Sequence, residues 1–258
     1  MRRRYVDTDG GQVHLVECGF GRPIVLLHMT ASSSVMYRHV LPLLGTRWHA
    51  IAIDTPGFGA SDPLPELPTI PAYASALAET LDALDLDVVH LVGFHTGASI
   101  ALQLALSSPE RVDRIVLAGL LALIDDTERD FWRERILRPW QPDGHGGFVE
   151  EILWWLPFYV AKRDGSAALH EVIARLQAGP DYLQAPQAVI AHDALASVAR
   201  LNRPVLFLSP VGDNLRDTTR RAHASLPGSA YVEVPGNDGA VWDYPAEFAS
   251  AVGDFMAS

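Results

Sequence analysis

Residues 88–97 read Val88-Val89-His90-Leu91-Val92-Gly93-Phe94-His95-Thr96-Gly97, and an alanine-rich stretch of helical character follows. An apolar run that enters G-x-H-x-G and leaves as a helix describes a sharp strand-to-helix turn. Glycines flank its apex because side chains there would collide. The apex residue here is an imidazole, which moves protons near neutral pH. A carboxylate bonded to one ring nitrogen fixes its tautomer and raises the basicity of the other. His95 is thus the candidate general base or acid.

Something must hold these loops together. The N-terminus reads as a hairpin, with Tyr5–Thr8 and Val13–Cys18 joined at Asp9-Gly10-Gly11. Short, wholly apolar runs then recur at Ile24–His28, His49–Ile53, Val88–Val92, Arg114–Ala118, Pro204–Leu208 and Ala230–Val234, as expected of strands buried on both faces. Helical patterns separate most of them, at Ser33–Leu44, Pro71–Leu84, Ala98–Ser107, Arg216–Leu226 and Pro245–Met256. Strands alternating with helices predict an α/β fold, a doubly wound and mostly parallel sheet. The alternation breaks once, over 121–199, where Trp132, Trp140, Trp154 and Trp155 gather with Phe131, Phe148, Phe158, Tyr159 and Tyr182. Prolines and glycines cut that segment into short helices, predicting a helical cap over a core formed by 1–120 and 200–258. Most of its aromatics are expected to be the cap's own core, with some facing a cavity.

The composition narrows the function. The 258 residues carry a net charge of −11, which argues against nucleic acid and anionic membrane surfaces as partners. The single cysteine, Cys18, excludes an internal disulfide and fits a reducing compartment. Arg2-Arg3-Arg4 resembles the start of a signal peptide, but the polar stretch to Gln12 follows it without an apolar region. A cytoplasmic, soluble protein is expected.

By these elements the chain resembles the α/β-hydrolase superfamily over nearly its whole length. Besides the elbow, Leu26-Leu27-His28 before a serine-rich loop matches the family's oxyanion loop. Asp54-Thr55-Pro56-Gly57-Phe58-Gly59-Ala60-Ser61-Asp62 matches its D-x-x-G-x-G-x-S-D turn, and Ser108-Pro109-Glu110-Arg111-Val112 is typical of it too. The resemblance implies oxyanion donors in the backbone of Thr96, after the apex, and of Met29 or Thr30, after His28. Met29 departs from the family's usual glycine. The resemblance also places Asp213 at the acid position, in the loop after Val205–Leu208, with Asp217 a nearby second candidate, and aligns Asp238, after Ala230–Val234, with the catalytic histidine. The last histidine in the chain is His223, so the catalytic loop has none, and the apex is not the usual Ser, Cys or Asp. Two members of the Ser–His–Asp triad are missing.

What remains is a histidine with a carboxylate partner, Asp213 or Asp238, the latter preferred because it replaces the family's histidine beside the elbow. Retained oxyanion donors would stabilise an enolate or a tetrahedral oxyanion without an acyl-enzyme. Two reaction types follow: proton abstraction beside a carbonyl or from an acidic hydroxyl, giving lyase- or isomerase-type chemistry, and hydrolysis by water that His95 activates. Attack by the imidazole itself ranks lower, because acyl-imidazoles are labile. The competing class is a catalytically silent ligand-binding member of the fold, which would leave His95 without a carboxylate. The expected partner is a small apolar or aromatic substrate, with Trp154 and Trp242 as aromatic lining and His28 packing the oxyanion loop. No cofactor is expected. No metal is expected either, since one histidine and two aspartates from three loops lack any further His/Cys ligand pattern. The oligomeric state stays open, a homodimer included.

Overall fold

Strands β1 (Arg2–Thr8), β2 (Gly11–Cys18), β3 (Pro23–Leu27), β4 (His49–Ile53), β5 (Val89–Phe94), β6 (Val112–Ala118), β7 (Val205–Pro210) and β8 (Ala230–Val234) build one sheet in the order β1-β2-β4-β3-β5-β6-β7-β8. The computed structural model describes residues 1–137, 147, 149–150, 152–153, 155 and 165–258. The β1–β2 and β2–β4 pairs are antiparallel, and every later pair is parallel. The order reverses about β3, so the strand preceding the elbow lies in the middle of the sheet, where backbone position is most constrained.

The apolar runs explain the layers. Side chains alternate across a strand. Val25, Leu27, Ile51, Ile53, Leu91, Ile115 and Leu117 join one core with Tyr73, Leu77, Ile100 and Leu104. Ile24, Leu26, Ala50, Ala52, Val92, Phe94 and Val116 join the other with Leu41, Leu44, Phe248, Val252 and Met256. The helical partners are α2 (Ile70–Ala83) and α3 (Thr96–Ser107) on the first face, and α1 (Leu41–Leu44) and α10 (Pro245–Ala257) on the second. Both faces of the central strands are therefore covered. One expected helix divides: Ser33–Leu44 becomes a 3-10 turn, Ser34–Tyr37, followed by α1. Ser33 caps the turn by accepting from the Val35 N–H at 3.3 Å. Pro42 has no amide hydrogen and suits only the first turn of a new helix.

Between β6 and β7 the described residues form α4 (Asp126–Ile136), α5 (Gly165–Ala178), a 3-10 turn over Gly179–Leu183, α6 (Gln184–Ala191) and α7 (Ala194–Val198). Asp125 caps α4 by accepting from Glu128 N–H at 2.9 Å. Glu128 in turn takes a forked ion pair from Arg221, at 2.7 and 2.8 Å, which ties α4 to α8 (Arg216–Ala224). Trp132 packs against the first core, whereas Phe131 is exposed, and Tyr182 is buried with Arg175 over its ring. Trp140, Trp154, Phe148, Phe158 and Tyr159 lie outside the described residues. A short helix, α9 (Ala240–Asp243), precedes α10. No helix among the described residues is long and apolar enough to cross a membrane.

Candidate active site

The turn between β5 and α3 holds His95 at φ 50°, ψ −108°, a left-handed backbone that non-glycine residues rarely adopt. Neighbouring contacts fix it there. The His95 N–H donates to Ala118 O at 2.9 Å, and the His95 carbonyl accepts from Ala98 N–H at 2.9 Å. Both flanking glycines are sterically required. A Cβ on Gly93 would run into the Gly97 carbonyl, and one on Gly97 would lie 2.8 Å from the Leu27 Cβ. The sequence pattern is thus a direct consequence of the crossing of β3, β5 and α3. The imidazole lies against Phe94, ring centroids 4.8 Å apart, and keeps 21% of its side-chain surface exposed.

Its Nε2 donates to Asp213 Oδ2 at 2.8 Å. The carboxylate belongs to a fully buried side chain, and its other oxygen accepts from the Leu215 N–H at 2.7 Å. Asp213 makes the hydrogen bond that the sequence assigned to either aspartate with a preference for Asp238. The loop path explains this. The Asp213 N–H bonds Pro210 O at 3.1 Å, folding the turn directly off the end of β7 toward the elbow. Asp238 is half-buried on the β8–α9 loop, which runs beside that turn through Gly212 N–H to Gly236 O at 2.8 Å. Asp217 is exposed in the first turn of α8.

Gly119, at φ +59°, is a site residue that the sequence reading passed over. A Cβ there would stand 2.6 Å from His95 Nε2 and 2.8 Å from Asp213 Oδ2. The His–Asp bond occupies the space that this glycine leaves. A glycine directly after the apolar run of β6 was the only available signal.

The loop after β3 meets the first turn of α3 directly after the apex. Thr96 is the first residue of α3, and a first-turn N–H has no acceptor within its own helix. Its hydroxyl hydrogen-bonds that of Thr30 at 2.7 Å, so the two loops named as donors touch. Met29 is buried, its carbonyl accepting from Ser32 N–H at 2.9 Å and from His28 Nδ1 at 2.8 Å. His28 accepts the Thr55 N–H on Nε2 at 2.9 Å, which fixes it as a neutral ring with both nitrogens in use. Burial lowers its pKa, against the raising effect of nearby Asp54 and the Met29 carbonyl. His28 therefore supports the loop.

The match to the family model of the α/β hydrolase fold covers residues 22–150, half of the chain. The chain belongs to the α/β-hydrolase fold family. A segment of the polyketide synthase ThaQ of Burkholderia thailandensis is 28% identical over 257 residues, covering 94% of this chain but 12% of that protein. The 2-hydroxy-6-oxo-2,4-heptadienoate hydrolase of Pseudomonas putida is 35% identical over 124 residues, 46% of this chain and 45% of that one. The chain thus spans less than half the length of these curated relatives. A hydrolase from Pseudomonas aeruginosa PA01 has the same fold, with a TM-score of 0.83 at 22% identity over 100% of this chain and 99% of that one.

Against that α/β-hydrolase background, the exchanged positions are local. His223, the last histidine, is on α8, stacked on Tyr231 and bonded to Ser229 Oγ at 2.8 Å. Ser99 is wholly buried within α3. Trp242, named as pocket lining, is 94% buried between neighbours: its indole packs against His39 and His170, and its N–H donates to Glu171 Oε1 at 3.3 Å. That places it as a link between α9 and α5, with its polar edge already committed. Trp154 lies outside the described residues. Glu171, a carboxylate at 1% exposure, was also missed. It accepts from Ser32 Oγ at 3.5 Å as well, joining α5 to the loop after His28. A lone acid within a helical pattern carries no sequence signal for a contact 139 residues away. Among the described residues no group of three His, Cys, Asp or Glu side chains could hold a metal ion.

Proposed function

We propose that this α/β-hydrolase-fold protein is an enzyme in which His95, oriented by Asp213, acts as general base on a small apolar or aromatic carbonyl or hydroxy compound. The observation that carries the reading is the 2.8 Å bond from His95 Nε2 to a fully buried carboxylate. With Nε2 protonated and held by Asp213, Nδ1 is the basic nitrogen, the role a carboxylate gives to an imidazole in hydrolytic triads. The proton it takes comes from an acidic C–H or O–H of the substrate, or from a water that then attacks its carbonyl. In both cases negative charge develops on a carbonyl oxygen, and the Thr96 N–H at the start of α3 and the loop carrying Thr30 supply donors for it. The helical segment between β6 and β7 serves as a cap that limits water. The named relatives support carbonyl substrates: one hydrolyses an oxo-dienoate, and the other is a segment of a polyketide synthase.

The test is turnover of a panel of 2-hydroxy-6-oxo-dienoates and β-dicarbonyl compounds by the protein and its His95→Ala variant. Loss of a general base should reduce kcat by about 10²–10⁴ while the far-UV spectrum and ligand binding stay intact. Deuterium exchange at the substrate carbon separates C–H abstraction from water activation, which instead places solvent ¹⁸O in the product. Full activity of His95→Ala on a compound that the protein turns over would make the imidazole a bystander.

A further inference from the structure

A groove of about 990 Å³ opens where β1, β2, the turn after β4, the 3-10 turn and α5 meet, and His95 is not among its described lining residues. Its walls include Arg3, His14, Arg38, Asp54, His170 and Gln177. The protein carries 31 acidic against 20 basic side chains, yet this lining is cationic. Asp54 is the only carboxylate among its described lining residues, and that charge is fully engaged. It accepts from His14 Nδ1 at 2.8 Å, from Ser34 N–H at 2.6 Å and from Ala60 N–H at 2.9 Å. Burial raises the Asp54 pKa, but these hydrogen bonds and the nearby His28 ring outweigh it and hold the carboxyl below its ordinary value. Asp54 therefore has little left to offer Arg3 or Arg38, neither of which forms an ion pair among the described residues.

Arg38 is also held in place. Its Nη1 donates to His170 Nε2 at 3.0 Å, which ties the guanidinium to α5. Gln177, about two helical turns further along α5, donates to the Gly59 carbonyl and anchors that wall to the turn after β4. An arginine held by one ring nitrogen, with no ion-pair partner among the described residues, keeps its remaining donors for an oxyanion. We infer that this groove is a second binding site, for a ligand bearing a phosphate or carboxylate group that Arg3 and Arg38 share. The two anion classes have the same recognition chemistry here, and titration separates them.

The experiment is calorimetric titration of the intact protein with sodium phosphate, and in a parallel arm with sodium acetate, at low ionic strength and neutral pH. Saturable binding is expected in at least one arm, and the stronger arm identifies the anion class. Arg38→Gln and Arg3→Gln should each weaken it about ten-fold or more, the usual consequence of deleting one charge-assisted hydrogen bond. Arg47→Gln, at an arginine stacked on Trp48 outside the groove, should leave it unchanged. His95→Ala should also leave it unchanged, which separates this inference from the assignment of the catalytic base. Failure of both anions to saturate, or equal weakening by Arg47→Gln, would overturn it.

Discussion

Replacing Gly119 by Ala tests the His95–Asp213 pair without altering either member. An added Cβ would lie 2.6 Å from His95 Nε2 and 2.8 Å from Asp213 Oδ2, whereas ordinary contact begins near 3.4 Å. The nearest ring atom, Cδ2, would stand 2.3 Å away, so the ring must retreat by about 1.1 Å, which stretches the 2.8 Å hydrogen bond past the length at which it counts as one. A displacement near 1 Å at a reacting group costs about 10²-fold in rate, so kcat of Gly119→Ala should fall by about that factor. The backbone contributes as well, because alanine at φ +59° loses about 1–2 kcal/mol relative to glycine. Crowding adds about 1–3 kcal/mol, which a domain of ordinary stability survives. Nitrogen-15 NMR of the imidazole gives a readout free of any substrate. The parent protein should show Nε2 protonated and hydrogen-bonded, and Gly119→Ala should show a mixed tautomer. Asp213→Asn should give the same spectrum, and combining the two should add little, because both break one interaction. If Gly119→Ala folds and keeps both the parent spectrum and full activity, the pair does not position the base.

Two further outcomes follow from the same geometry. The protein should give no stoichiometric adduct by intact-mass spectrometry with serine-directed phosphonates, because Ser99 is buried within α3 and no serine stands at the apex. Stability should fall on acidification: burial lowers the pKa of His28, His90 and His192, so the unfolded chain binds protons that the folded one does not. That stabilisation is complete above the ordinary histidine value of 6.5 and is lost as pH drops through the lower folded values, with Asp54 adding a later loss below its ordinary range. Urea unfolding from pH 8 to 5 should show the decline, and a flat profile would contradict it.

The sheet was legible because buried parallel strands leave a simple trace, short apolar runs with helical patterns between them. The elbow was legible for a steric reason, since Gly93 and Gly97 have no alternative where β3, β5 and α3 cross. Loop paths were not. Asp213 and Asp238 differ in how their turns leave the sheet, and the bond from Gly212 to Gly236 that sets the two loops side by side has no counterpart in residue spacing. Gly119 and Glu171 depend on contacts across the fold, which local pattern does not encode. The Ser33–Leu44 break was readable in principle from Pro42, but an apolar helical period around it hid the interruption.

The same loop geometry suits the proposed role, in which one histidine stands in for two residues. In the serine members of the family, a loop histidine lies between the apex and the acid. Here the imidazole projects from the apex itself and reaches the acid position directly, with Gly119 clearing the way. A histidine in the last loop then has nothing to bridge, and Asp238 occupies its aligned place. Exchanging the two should restore the serine arrangement. His95→Ser alone leaves a hydroxyl with no base and should hydrolyse activated esters no faster than the parent protein. His95→Ser combined with Asp238→His puts an imidazole on the loop that already runs beside the Asp213 turn, with the Gly212–Gly236 bond at 2.8 Å holding them together. The double variant should gain burst-phase ester hydrolysis and phosphonate labelling at position 95, because the exchange leaves the proposed donors at Thr96 and on the loop of Met29 and Thr30 in place. Equal labelling of the single variant would show that another base serves the apex. The Asp213 bond would then not be what makes His95 chemically competent.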